Sequence, residues 1–202
     1  MRLDDPRDWP QQVVAIDPGD SHHGVVMAKV LPDSCLITGA WEFSGEEELW
    51  DRFALWSRTG GLMNVVLEEY RLYPWMARQQ GFSNFPTPQV IGAIRYIARQ
   101  HNIPVTMQKA ADKKVGRKLA EKRGVPMTLR SLGSGKGAYK GPDFDAKWLK
   151  DLYGIKSSQH VRDALAHLVH WVWTSPEAPA RRYTGAPHAP PTPERTAQGW
   201  VL

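Results

Sequence analysis

The sequence predicts an α/β fold, a five-stranded mixed sheet with helices on both faces, and three observations predict it. Two apolar runs end abruptly in acids, Val13-Val14-Ala15-Ile16-Asp17 and Val65-Val66-Leu67-Glu68-Glu69, and read as buried central strands. Three strand-like segments joined by turns form a meander, after which strands alternate with helical stretches. A late segment repeats apolar residues at helical spacing, with Val161, Ala164, Leu165, Leu168, Val169 and Val172 on one face.

The first strand is expected near residues 12 to 17, closed by the turn dipeptide Pro18-Gly19. Antiparallel strands near 24 to 30 and 35 to 43 follow, through turns at Asp20 to His23 and at Pro32-Asp33. A helix from about Gly45 to Ser57 leads to a strand from Met63 to Glu69 and a helix from about Pro88 to Gln100. A short strand near Val105 comes next, then helices of about Ala111 to Arg123 and Asp143 to Tyr153, before the helix that opens near His160. Between them, Gly133-Ser134-Gly135-Lys136-Gly137 lacks the spacing of a Walker motif and reads as a flexible basic linker. From Ser175 onward, six prolines in 28 residues and little apolar periodicity predict a disordered tail. The division is an N-terminal extension over 1–11, one folded domain over 12–175 and a Pro-rich tail over 176–202, with no internal repeat.

Four residues then stand out as hard-metal ligands at positions where a core residue is expected: Asp17, Glu68, His160 and Asp163. If the two acid-tipped strands are neighbours, Asp17 and Glu68 face each other. His160 and Asp163 are spaced i, i+3 and share one edge of their helix. Carboxylates gathered against an apolar sheet cost several kcal/mol unless a cation neutralises them. Oxygen-rich ligation suits Mg2+ or Mn2+, and one imidazole is compatible with either. Two such ions about 4 Å apart can activate a water and stabilise the leaving oxygen of an in-line attack on phosphorus. Glu69 competes with Glu68, since strand neighbours point to opposite faces. Asp17 could instead cap a turn, His160 cap its helix, and Asp163 complement the helix dipole. His167, one turn beyond Asp163, opens a zinc reading of His160, Asp163 and His167, which leaves Asp17 and Glu68 unexplained. His22, His23 and His170 read as surface or packing residues.

With these residues in order, the chain resembles the RuvC family of Holliday junction resolvases. The resemblance rests on Ala15-Ile16-Asp17-Pro18-Gly19, on Leu67-Glu68-Glu69, on Ile91-Gly92-Ala93 and its helix, on the strand from Val105 to Gln108 with the basic element after it, and on His160-x-x-Asp163-Ala164-Leu165-Ala166. It covers roughly residues 12 to 175. Family members usually carry Asp where His160 stands, and some use His. The stretch from Tyr70 to Gln80 is similar to phage-encoded members. The resemblance implies a ribonuclease H-like fold and favours Glu68 over Glu69. It also implies a homodimer that cuts four-way junctions, and possible flaps, with two Mg2+ or Mn2+ ions per site held by Asp17, Glu68, His160 and Asp163. Its setting would be the cytoplasm, that of the host if the chain is phage-encoded.

Composition bounds the same answer. The formal charge of +5 permits nucleic-acid binding. Its distribution is more telling: Lys109 to Lys140 holds ten Lys or Arg against two acids, leaving sixteen against nineteen elsewhere, so the positive charge is a patch. A single cysteine, Cys35, excludes an intramolecular disulfide framework and fits a reducing compartment. No apolar run reaches the roughly 18 residues of a membrane span, and the N-terminus does not have the pattern of a signal peptide, so a soluble intracellular protein is expected.

Lys113, Lys114, Arg117 and Lys118 lie on or near one helix and are the expected phosphate contacts. Tyr70 to Phe85 interleaves aromatics with arginine beside Glu68, so Arg71, Tyr73 and Arg78 are expected to hold DNA, by stacking on unpaired bases and by charge. The bland alternative is that Tyr73, Trp75, Phe82 and Phe85 pack the loop and the lysines form a solvated face. Two other functional classes compete with the nuclease: a non-catalytic binder of branched DNA or RNA, and an ATP-dependent sugar-kinase or actin-like domain, whose first phosphate loop is similar to Asp17-Pro18-Gly19. The latter needs a second Gly-rich phosphate turn, for which the sequence offers no candidate. An RNA-processing nuclease of the same fold is a further alternative.

Overall fold

The computed structural model of the chain describes residues 11–30, 35–59, 61–71, 86–132, 139–154, 158–176, 178, 195–196 and 199–200. Strands β1 (Gln11–Pro18), β2 (His23–Val30) and β3 (Cys35–Phe43) form the antiparallel meander. Helix α1 (Glu46–Arg58) leads into β4 (Leu62–Glu68), and α2 (Pro86–Gln100) into β5 (Val105–Gln108). β4 lies parallel to β1, and β5 parallel to β4, giving one five-stranded sheet in the order β3-β2-β1-β4-β5. The order and directions are those of a ribonuclease H-like fold.

Helix α3 (Asp112–Lys122) is followed by a hairpin of β6 (Met127–Leu132) and β7 (Tyr139–Phe144), then by α4 (Ala146–Tyr153) and α5 (Gln159–Thr174). The hairpin was not expected. The helix predicted from Asp143 instead starts at Ala146, because Asp143 and Phe144 pair with Thr128 and Met127, while the Asp145 carboxylate accepts the Trp148 N–H as the helix cap. The Gly133 to Gly137 linker lies outside the described residues. Within the segment from 176, where no element was expected, Arg195–Thr196 (β8) pairs with Gly199–Trp200 (β9). Among the described residues, no helix is long and apolar enough to cross a membrane.

The central strands are buried on both faces, which is why β1 and β4 are apolar without alternation. Alternation decides which helix each residue meets. Val14, Ile16, Val65 and Leu67 pack against Leu49 and Phe53 of α1 and Val90, Ile94 and Ala98 of α2. Val13, Ala15 and Val66 face the other way, toward Val161, Leu165 and Leu168 of α5. Each Val, Leu, Ile or Phe among them contributes about 1.5–3 kcal/mol through burial. Two glycines set how closely α5 approaches. A Cβ at Gly24 would overlap the His160 carbonyl carbon, and one at Gly116 would overlap the Ala166 oxygen. The helix therefore lies directly on the backbones of β2 and α3.

Candidate functional site

Asp17 has the same parity as Val13 and Ala15, and Glu68 the same as Asn64 and Val66, so both carboxylates leave the sheet on the α5 side. β1 and β4 are parallel neighbours with Ile16 opposite Leu67, so one step further along each strand brings Asp17 beside Glu68 at the C-terminal end of the sheet. Glu69 points away, exposed, and pairs with Arg71 at 3.4 Å. Helix α5 supplies the rest. Ser158 caps it by accepting the Val161 N–H, and the first turns put His160 and Asp163 over the strand ends. His160 Nδ1 stands 2.7 Å from Asp17 Oδ2. The four residues singled out from the sequence thus share one site.

A fifth group lies at its centre. Lys113, on α3, brings its ammonium within 2.9 Å of Asp163 Oδ2, 3.0 Å of Glu68 Oε2 and 3.7 Å of Asp17 Oδ1. Lys113 was expected to contact phosphate, as was Arg117. Both instead face inward, because Lys113, Gly116, Arg117 and Ala120 fall at i, i+3, i+4 and i+7, the stripe of α3 that packs on α5. Arg117 is 2% exposed and donates to Asp143 and Asp163, so its guanidinium is not placed to meet a phosphate. Lys114 and Lys118 lie on the exposed side. Arg71 is exposed beside Glu69, while Tyr73, Arg78 and the rest of the aromatic stretch over 72–85 lie outside the described residues.

The charges are unequal. Burial pushes the Asp17 carboxyl up to about 7; the hydrogen bond with His160 and the charge of Lys113 oppose this, and the nearby Glu68 adds to it. Burial would also raise Glu68, but the hydrogen bonds from His167 and Asp17 and the Lys113 ammonium hold it well below the usual carboxylate range. Burial and the close approach of the two carboxyls thus push them in opposite directions, Asp17 up and Glu68 down. The hydrogen bond to Asp17 raises His160. Burial works against the charged form of Lys113, yet Asp17, Asp163 and Glu68 together raise it.

His167 is fully buried, with Nε2 2.9 Å from Glu68 Oε2 and Nδ1 2.7 Å from Gln108 Oε1. Its ligand atom and those of Asp17 and Glu68 all lie within 4.8 Å of one another. The zinc reading grouped His167 with His160 and Asp163; the structure joins it to the two strand carboxylates. The one signal for it in the sequence was its place one turn past Asp163. The donor set fits a divalent cation: carboxylate oxygens predominate, two imidazoles border them, and a lysine ammonium already sits where positive charge is needed.

No family model matches the chain, and no curated protein matches it. Among solved structures, it is similar to Thermus thermophilus RuvC in complex with a Holliday junction substrate, at 17% identity and a TM-score of 0.49 over 79% of this chain and 92% of that one. It is also similar to the fowlpox virus Holliday junction resolvase, at 9% identity and a TM-score of 0.44 over 80% of this chain and 96% of that one. The large terminase of a thermophilic bacteriophage aligns at 11% identity and a TM-score of 0.45 over 83% of this chain, which spans 41% of the terminase chain.

Proposed function

We propose that the chain is a metal-dependent endonuclease that cuts branched DNA at four-way junctions. The observation that carries this reading is the convergence of Asp17, Glu68 and Asp163 on the Lys113 ammonium, with His160 against the second oxygen of Asp17. Carboxylates so arranged serve poorly as a structural ion cluster, because burying like charges together costs more than an apolar core. As ligands for Mg2+ or Mn2+ the arrangement has a purpose.

Asp17 and Glu68, with His167 beside them, would hold one ion; Asp163 and His160 would complete a second position. When bound, the two ions supply activation of a water and stabilisation of the leaving oxygen. The chain's own residues do the remainder. Asp17 would serve as a ligand in its deprotonated form, His160 would hold the Asp17 carboxylate in place, and Lys113 would balance charge on Glu68 and Asp163. The water oxygen would bond to phosphorus as the P–O3′ bond breaks, one water proton ending on O3′ and the other passing to solvent, which leaves a 5′-phosphate and a 3′-hydroxyl. Lys114 and Lys118 supply charge for the DNA backbone. Branched DNA as the substrate, a homodimer that makes two symmetric nicks, and action in the cytoplasm, the host's for a phage-encoded chain, follow from the resemblance stated above.

The test is cleavage of a synthetic four-way junction with Mg2+ or Mn2+, beside flap and linear duplexes. The parent should nick the junction preferentially, and Asp17→Asn should bind it without nicking. Full cleavage by Asp17→Asn would sink the metal reading. Binding by the parent with no metal-dependent nicking on any substrate would make the chain a non-catalytic binder.

A further inference from the structure

The buried charges behind the candidate site form a closed ring. Arg117 Nη2 donates to Asp163 Oδ1, and Arg117 Nε donates to Asp143 Oδ1 at 2.9 Å. Asp143 Oδ2 accepts from Arg162 Nε at 2.9 Å. Arg162 Nη2 reaches Gln159 Oε1 at 3.2 Å, and Gln159 Nε2 returns to Asp163 Oδ1 at 2.7 Å. The ring draws on α3, β7 and α5, and Asp143 at its far side is completely buried. Its consequence for the site lies in the two oxygens of Asp163. Oδ1 takes two donors from the ring, which leaves Oδ2 turned toward the Lys113 ammonium, the position of positive charge among the carboxylates.

We propose that Asp143 is a positioning residue for the site: by gripping Arg117 and Arg162 it fixes which oxygen of Asp163 is offered as a ligand, and makes the seating of the β6–β7 hairpin a condition for metal binding. Asp143 belongs to the hairpin, where it pairs with Thr128, and Phe144 beside it anchors the same strand end in the core. Without the Asp143 carboxylate, Arg117 keeps Asp163 as its charged partner and can take both of its oxygens in a fork. Asp163 would then turn from the site. Partners behind a metal ligand commonly govern affinity in this way, by about 10–100-fold.

The inference rests on the reading of the site as a metal centre, and its test uses the full chain with Mn2+ alone as the probe. Mn2+ affinity is measured by electron paramagnetic resonance, and junction nicking is followed separately. Asp143→Asn removes the shared anion. The double variant Asp143→Asn with Arg162→Met removes one charge of each sign, so the ring stays neutral. Both should bind Mn2+ about tenfold more weakly, with kcat lowered and junction KM unchanged, and Asp143→Glu should recover part of the loss. A folded double variant with the parent's Mn2+ affinity and kcat overturns the proposal. So does unfolding of both variants, which would make the ring purely structural. A parent that binds Mn2+ but cuts no DNA would remove the nuclease reading alone, since the Mn2+ comparison still judges Asp143. A parent that binds no Mn2+ overturns both.

Discussion

The two faces of the sheet are made from the same strands and bear different loads. Toward α1 and α2 the face is apolar to its end, where Ile16 and Leu67 meet a core that includes Phe53 and Ile94. Toward α3 and α5 it carries Val13, Ala15 and Val66 with the buried amide of Asn64, and then ends in Asp17 and Glu68. The parity of a strand, rather than its composition, separates anchor from site. One face holds the strands in register so that the other can keep carboxylates together at one end. A one-residue slip of either strand would exchange the two roles.

The largest expected effect tests the anchoring face. Phe53→Ala should cost about 3–5 kcal/mol in urea unfolding, while the Mn2+ affinity of the folded fraction stays that of the parent; a loss of affinity would show that the two faces are not separable. On the other face, Glu68→Gln should lower nicking by on the order of a hundredfold, the scale lost with one preorganised electrostatic group, with the melting temperature held. Glu69→Gln, one residue on and facing away, should leave the rate unchanged, and equal losses in the two variants would refute the parity argument.

Gly116→Ala acts where α3 meets α5. Its Cβ would overlap the Ala166 oxygen, so the helices must separate, at about 1–3 kcal/mol. Because Lys113 and Arg117 ride on the same helix, Mn2+ affinity should fall as well. A stable variant with unchanged affinity would show that α3 can move without disturbing the carboxylates.

The pH dependence follows from Asp17. Its folded value of about 7 lies above its ordinary 3.8, so between these values the ion-free fold holds a proton that the unfolded chain has lost. This contribution to stability is complete below about pH 4 and disappears as pH rises through about 7. Metal must displace the same proton, so Mn2+ affinity should fall about tenfold per pH unit below 7 and level off above it. Titrations at pH 5.5, 6.5 and 7.5 check this, and a flat profile would contradict the raised Asp17. The smallest effects belong to the exposed side of α3: Lys114→Ala and Lys118→Ala should change stability by less than about 0.5 kcal/mol. Each should reduce the slope of log affinity for DNA against log salt by about 1.

Much of this fold can be read in the chain. The apolar runs of β1 and β4, the meander that β1 opens and the 3.6-residue period of α5 are local signals, and the sheet order follows from them. The β6–β7 hairpin went unread because Met127 to Leu132 is short, while Asp143 and Phe144 resemble the start of the helix that follows them. At the site, Asp17, Glu68, His160 and Asp163 are visible as polar residues that interrupt apolar patterns. Lys113 and Arg117 are not, since a basic helix reads as a solvated face until its rotation is known.

By itself, then, the sequence determined which strands are central, which face of each helix is apolar and where carboxylates interrupt them, because hydrophobic periodicity acts over a few residues. Only the tertiary structure decided the partners of those carboxylates. Lys113 meets Glu68 and Asp163 across 45 and 50 positions of chain and His167 meets Glu68 across 99, while behind them Gln108 holds His167 across 59 and Asp143 holds Arg117 across 26. Those meetings depend on how α3 and α5 are rotated against the sheet, which is set by contacts such as Gly116 on Ala166 and Gly24 on His160. Charge pairs carry no period of their own, so they become readable only when packing has fixed the distances between them.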